Sequence, residues 1–129
     1  MQELEVYSTI GAEGFRRLVA AFYQQVPQDE ILGPMYTMRD LQGAEQRLRD
    51  FLIGRFGGPQ TYIEQRGHPR LRARHSPFSV NQTPRDRWMR LMDNALVEAA
   101  LPGEAEQVLR KFFEAMSTFM TNHAEPGIR

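Results

Sequence analysis

The 129-residue chain contains no cysteine. This absence excludes disulfide bonds, zinc–thiolate sites, iron–sulfur clusters and a thiol nucleophile. Any metal ion would have to be held by histidine nitrogens or by oxygen ligands, and the sequence has only three histidines. Catalytic motifs are missing too: there is no GxSxG serine elbow, no GxxxxGK[ST] phosphate loop and no HExxH zinc pair.

Long apolar runs and net charge are also lacking. No window approaches eighteen apolar residues, so no transmembrane span is predicted, and the N-terminus does not resemble a signal peptide. Sixteen acidic residues balance sixteen basic ones, which makes the chain a poor general ligand for nucleic acid. The expectation is a single cytoplasmic domain spanning residues 1–129, with no nucleic-acid or membrane partner.

Helical periodicity is the main pattern that is present. Apolar residues fall on one face between positions 13 and 26, again between 40 and 56, from 83 to 99, and from about 108 to 120. Thr83 and Pro84 form a typical helix start, and a helix end is expected before His123. The stretch GGPQTYIEQRGH (57–68) predicts a long connection, and positions 69–75 predict a short helix between two prolines. No strand alternation occurs, so the predicted class is all-α.

The stretch RGHPRLRARHSPF (66–78) contains two of the three histidines, and the third, His123, is interpreted as a solvated end residue. Because His68 precedes proline, its backbone is pushed out of the helical region. His75 lies at the other end of the short helix, four residues after the apolar Leu71. A lone histidine on such a face is more often a core residue than a ligand, so other residues have to decide its role.

Aromatic residues with polar groups strengthen the case for a ligand. The helical phases point Tyr23, Tyr36 and Trp88 inward, where their O–H and N–H groups need partners. Either the three lie separately at the edge of the core, or they surround a small polar ligand. An apolar set beside them could hold a large flat apolar molecule or could be plain core: Leu48, Phe51, Phe78, Met92 and Met116.

Five stretches together resemble the group II truncated haemoglobins, compact two-over-two helical globins. They are FYQQVPQDEILGPMY (22–36), DLQGAEQRLRDFL (40–52), GGPQTY (57–62), RGHPRLRARHSPF (66–78) and RDRWMRLM (85–92). The resemblance covers nearly the whole chain. One departure lies near the N-terminus, where IGAEG has Gly11 followed by Ala12 instead of paired glycines.

This resemblance implies a b-type haem with His75 as the proximal iron ligand. It also implies a distal hydrogen-bonding cage formed by Tyr23, Tyr36 and Trp88, with no distal histidine because position 44 is alanine. Arg47 and Tyr62 match positions that reach the haem propionates, whereas the sequence cannot choose among Arg66, Arg70, Arg72 and Arg74. The full set of expected haem contacts is Ala44, Arg47, Leu48, Phe51, Tyr62, Leu71, Arg74, His75, Phe78, Trp88, Met92 and Met116.

Three functions follow as hypotheses. The first is a pentacoordinate haem protein that binds dioxygen, carbon monoxide or nitric oxide and releases oxygen slowly, as a carrier or sensor. The second is a haem enzyme that detoxifies nitric oxide or turns over peroxide, with an unidentified reductase. The third is a helical interaction domain without haem, in which the arginines of residues 66–74 bind acidic partners. The sequence leaves the oligomeric state open between monomer and homodimer.

Overall fold

The structure, a computed structural model, describes residues 1–36, 38–67 and 82–124, without the side chains at 38, 39, 66, 82, 83 and 118–124. Within these residues the chain is helical and has no strand. Five α-helices are described, and we number them in chain order: α1 (Val6–Gln25), α2 (Met38–Arg55), α3 (Thr61–Arg66), α4 (Gln82–Ala99) and α5 (Gly103–Ala124). Short 3₁₀ segments at Val26–Gln28 and Gly33–Met35 follow α1. The all-α prediction is confirmed.

Two sequence predictions about helix limits are wrong. The stretch 57–68 is not a plain connection, because Thr61–Arg66 forms a short helix after the Gly57–Pro59 turn. His123 does not follow the last helix; its backbone lies inside α5. In addition, α1 begins at Val6 and α4 at Gln82, both earlier than the periodicity indicates. Periodicity needs several turns in one phase, so it misses a short helix, a helix that continues beyond a kink and end turns with few apolar residues.

Helix α1 lies at the centre of the packing. It contacts α2, α4 and α5, while α4 packs on α5 and α3 packs on α2. These contacts form two helical pairs, α1 with α2 and α4 with α5, in the predicted two-over-two arrangement. The interior is filled by the apolar faces read from the sequence, including Phe15, Phe22, Phe56, Leu96 and Phe113, none of which has any exposed surface. No helix within the described ranges has the length and hydropathy to cross a membrane.

A kink at Gly11 divides α1. Gly11 has φ +68° and ψ 177°, and a Cβ added there would meet no atom within 4 Å. The requirement for glycine is therefore conformational, since L-residues rarely adopt a positive φ. Gly11, followed by Ala12 and not by a second glycine, is sufficient for this bend.

The N-terminal segment packs on the turn after α2. Tyr7 donates its backbone N–H to the carbonyl of Phe56 at 3.0 Å, and Arg55 pairs with Glu3 at 2.9 Å. Gly57 has φ +102°, and a Cβ there would lie 2.1 Å from the carbonyl oxygen of Leu4. Any side chain at position 57 would therefore displace the N-terminal segment from this turn.

Candidate functional site

Tyr23 and Tyr36 form a pair of buried phenols. Tyr23 lies in the last turn and a half of α1, and Tyr36 follows the 3₁₀ segment Gly33–Met35 in an extended conformation. Their rings meet edge-on at 6.0 Å between centroids, and their hydroxyls share a hydrogen bond. The chain thus turns back after α1 and packs the phenol of Tyr36 against that of Tyr23. This agrees with the inward position predicted for both residues.

Burial strengthens the preference of both phenols for the protonated form. Desolvation raises the pKa of Tyr23 far above its ordinary value, and the neighbouring phenol of Tyr36 raises it further. Desolvation also raises the pKa of Tyr36. The hydrogen bond with Tyr23 and the charge of Arg47 lower it, but the effect of desolvation is larger. Both phenols are therefore protonated at neutral pH, and both carry an O–H that can be donated.

Trp88 reaches the tyrosines through Phe22. Trp88 lies in the second turn of α4 and is half-buried; its ring is 5.2 Å from Phe22, which is 4.9 Å from Tyr23. Phe22 has no exposed surface. We call Phe22, Tyr23, Tyr36 and Trp88 the donor cluster. It brings the three predicted cage residues into one chain of ring contacts.

Helix α2 contributes an apolar face. Ala44 is buried, and Leu48 and Phe51 are half-buried while packing against the core. Phe51 meets the ring of Tyr62 on α3 edge-on at 5.7 Å, and Tyr62 is only 5% exposed. The small side chain at Ala44 leaves the middle of this face without a polar group.

Arg47 folds back along α2. Its Nη1 lies 2.9 Å from where a Cβ of Gly43 would stand, so the guanidinium occupies the space left by that glycine. Its charge is near enough to lower the pKa of both Tyr23 and Tyr36. The side chain predicted to reach a carboxylate thus stands beside the phenol pair in this structure.

The remaining predicted contacts fall into two groups. Met116 is half-buried against the core, whereas Met92 has no exposed surface. The others lie outside the described residues: Leu71, Arg74, His75 and Phe78, together with His68, Arg70 and Arg72. The side chains of Arg66 and His123 are likewise outside the description.

The residues fit a large, flat, apolar cofactor. Leu48, Phe51, Trp88 and Met116 all pack on the core yet keep part of their apolar surface exposed. Exposed apolar surface of this kind, next to buried O–H donors, is typical of a ligand site. Such a surface suits an aromatic macrocycle, and the donors suit a small polar molecule bound on it.

Known globins match both the sequence and the fold. The model of the bacterial-like globin family matches residues 5–122. The chain belongs to the bacterial-like globins, as a truncated haemoglobin of group II. It is 35% identical to the group 2 truncated haemoglobin YjbI of Bacillus subtilis, over 92% of this chain and 89% of that protein.

Solved structures of truncated haemoglobins superpose closely on it. The thermostable haemoglobin of Thermobifida fusca is 45% identical with a TM-score of 0.87, covering 93% of this chain and 98% of that one. The truncated oxygen-avid haemoglobin of Bacillus subtilis is 34% identical with a TM-score of 0.84, covering 90% and 98%. As a globin, the chain binds haem and oxygen, which confirms the predicted haem cofactor.

Three residues around this candidate site are not recognised from the sequence pattern. Phe22 was assigned only to the apolar face of α1, although it connects Tyr23 to Trp88. Asp29 is one of two buried polar residues in the described ranges, and it pairs with Arg87 beside Trp88. An aspartate at the start of a turn, in the stretch PQDEILGP, is a recognisable Asx-turn signal. Its partner, 58 positions later, has no local signal.

Proposed function

We propose that this truncated haemoglobin binds dioxygen at a pentacoordinate b-type haem and releases it slowly, because the donor cluster hydrogen-bonds the ligand. The observation that carries the proposal is the pair of buried, protonated phenols of Tyr23 and Tyr36, joined through Phe22 to Trp88. When bound, haem supplies a ferrous iron that takes up small diatomic molecules. The oxygen-avid B. subtilis relative supports the same behaviour here.

Residues from several segments would hold the haem. His75 would hold the iron, and Leu48, Phe51, Phe78 and Met116 would contact the macrocycle. A contact from Met92, which has no exposed surface here, stays a prediction from the family resemblance. Helix α2 has no histidine. With Ala44 as the proposed distal residue, no side chain of this helix would compete with a small ligand for the iron. Arg47 and Tyr62 are the first candidates for the propionates, since guanidinium and phenol groups form strong bonds to carboxylates.

The donors would stabilise a ligand that carries partial negative charge. Trp88 can only donate, whereas Tyr23 and Tyr36 can donate or accept. Tyr23 is only 8% exposed, whereas Tyr36 is half-buried and keeps part of its surface open. We therefore assign Tyr36 as the phenol that donates to the ligand, with Tyr23 holding it in place. In a dry pocket each such bond is stronger than in water.

Replacing Trp88 with phenylalanine tests the proposed function. Loss of a buried donor costs about 1–3 kcal/mol, which corresponds to a roughly tenfold to hundredfold faster release of oxygen. Stopped-flow measurement of oxygen dissociation from the ferrous protein gives the rate. Phe112→Leu, at a half-buried ring without a polar group, is the matched control. An unchanged rate in the Trp88 variant would contradict the role of the cage in slow release.

Replacing His75 with alanine tests the haem assignment. The variant should lose haem or show a changed absorption spectrum, because the imidazole proposed to hold the iron is gone. His68→Ala is the control and should keep the spectrum of the parent protein. Full haem retention with an unchanged spectrum in His75→Ala, or loss of the ligand in His68→Ala, would reverse the choice between the two histidines.

The same donor set favours a second candidate function. Donors that slow the escape of oxygen would hold it for reaction with nitric oxide, and could also polarise a peroxide. Steady-state consumption of nitric oxide and of peroxide, measured with a defined electron donor, separates these enzymatic activities from reversible binding. Absence of turnover in both assays would leave the carrier or sensor role.

A further inference from the structure

Asp29 organises the turn that carries Tyr36. Its Oδ1 accepts the backbone N–H groups of Ile31 at 2.9 Å and Leu32 at 2.8 Å, and its backbone carbonyl accepts the N–H of Gly33 at 2.9 Å. The side chain is 4% exposed. Although burial raises the pKa of Asp29, these hydrogen bonds and Arg87 hold it below its usual value. The group is therefore a buried carboxylate at neutral pH.

Arg87 connects this turn to the helix that carries Trp88. Its Nη1 donates to Oδ2 of Asp29 at 2.9 Å, and Arg87 immediately precedes Trp88 in α4. The ion pair thus spans the two segments that must be in register for Tyr36 and Trp88 to face one ligand. A buried carboxylate bound by an arginine and two N–H groups has little freedom to move.

Other contacts between α1 and α4 lie further along α4. Gln25 donates to the carbonyl of Leu91 at 2.8 Å and accepts from Asn94 at 3.0 Å, and Arg17 donates to the carbonyl of Ala99 at 3.2 Å. These contacts would keep the helix pair together if the ion pair were removed. Only the Trp88 end of α4 would then be free to shift relative to the Tyr36 turn, because Asp29 still accepts the N–H groups of Ile31 and Leu32.

We propose that Asp29 and Arg87 are positioning residues that fix the Trp88 indole relative to the tyrosine pair, and thereby set the rate at which this globin releases its ligand. Neither residue needs to touch the ligand. A hydrogen bond in a closed pocket depends steeply on donor position, so a small shift of α4 against the turn weakens the bond. The kinetic part rests on the proposed function; the placement of the indole does not.

The test separates the ion pair of Asp29 with Arg87 from the hydrogen bonds by which Asp29 holds its own turn. Asp29→Asn keeps an oxygen that can accept from Ile31 and Leu32 while it removes the charge facing Arg87. Arg87→Met removes the other charge, and Arg87→Lys restores it with fewer donors. Arg110→Met is the matched control. Arg110 of α5 pairs with Asp93 of α4 at 2.7 Å, and the Asp93 side chain is 47% exposed, so this variant removes an ion pair of α4 that is not buried.

We expect oxygen dissociation about threefold to tenfold faster in Asp29→Asn and Arg87→Met. Arg87→Lys should recover part of the slow rate, and Arg110→Met should match the parent protein. In a Trp88→Phe background, adding Asp29→Asn should change the rate little, because the pair acts through Trp88. A full additive effect in the double variant would overturn the proposal.

A second readout does not use ligand kinetics. Trp88 is the only tryptophan, so time-resolved fluorescence of the haem-loaded protein reports its distance and orientation relative to the haem. The lifetime should shift in Asp29→Asn and not in Arg110→Met. If Asp29→Asn lowers the melting temperature but leaves both lifetime and dissociation rate unchanged, the pair is only structural and the proposal is wrong. If the lifetime shifts while Trp88→Phe itself does not alter release, the positioning stands and the proposed function fails.

Discussion

Two aromatic clusters in this globin are built from similar ring contacts but differ in chemistry. The donor cluster of Phe22, Tyr23, Tyr36 and Trp88 contains two hydroxyls and an indole N–H. A second cluster, which we call the phenylalanine cluster, joins Tyr7, Phe15, Phe56 and Phe112 through ring distances of 6.4, 6.1 and 5.0 Å. The two are linked by Phe113, which is 5.6 Å from both Phe112 and Trp88.

The difference between the clusters separates stability from ligand binding. Phe15 and Phe56 have no exposed surface and bring no polar atom into the core, so their burial contributes only favourable apolar transfer and packing. The donor cluster buries O–H groups that must be compensated by hydrogen bonds. A fold does not need such groups for its stability, so their position supports the proposed ligand site. Mutations should therefore affect stability in one cluster and ligand release in the other.

The largest expected effect is on stability in the phenylalanine cluster. Phe56→Ala should lower the free energy of unfolding by about 3–5 kcal/mol, because it removes a fully buried ring and leaves a cavity. Oxygen dissociation from the folded fraction should stay within about twofold. Denaturant unfolding and stopped-flow kinetics give the two values, and Phe56→Leu is the milder control. A tenfold faster release in either variant would mean that the clusters are not separable.

A smaller effect is expected inside the donor cluster. Tyr36→Phe should speed oxygen release by about tenfold, as one hydrogen bond of about 1.4 kcal/mol is lost. Tyr23→Phe should have a weaker effect, because Tyr23 only orients Tyr36. Stability should change by less than in Phe56→Ala, since the ring remains. Stopped-flow rates for both variants decide the order, and a larger effect for Tyr23 would exchange their assigned roles.

The smallest effect is a pH dependence from Asp29. The pKa of this carboxyl is held below its ordinary value of 3.8, so its stabilisation is complete above about pH 3.8 and is lost as the pH falls through the folded-state pKa. The loss should be on the order of 1 kcal/mol, because Arg87 is 31% exposed and solvent screens the pair. Unfolding curves measured from pH 5 downwards should fall more steeply for the parent protein than for Asp29→Asn. Parallel curves would show that Asp29 does not contribute.

Much of the fold could be predicted from the sequence. The apolar positions of α1, α2, α4 and α5 repeat at helical spacing, and they are the positions that the structure buries. The short helix Thr61–Arg66 could not be predicted in this way, because six residues are too few to show a period. The helical backbone at His123 was missed for a related reason: few apolar residues mark the end of α5.

The candidate site was predicted in part. Tyr23, Tyr36 and Trp88 are found together because each lies on an inward face, and inward faces converge in a small domain. Arg47 lies beside the phenols because its guanidinium occupies the space that Gly43 leaves open. The periodicity of apolar residues contains no information about such a space. His75, the residue on which the haem assignment depends most, stays a prediction from the sequence and the family resemblance.

By itself, the sequence determined the helical class, the apolar faces and the residue types available for a haem pocket, because these depend on local periodicity and composition. Only the tertiary structure decided which residues meet. Tyr36 packs on Tyr23, Phe22 connects Tyr23 to Trp88, and Arg87 binds a carboxylate 58 positions away. Such contacts depend on how helices cross and how a turn returns the chain, and these are properties of three-dimensional packing that a one-dimensional pattern does not contain.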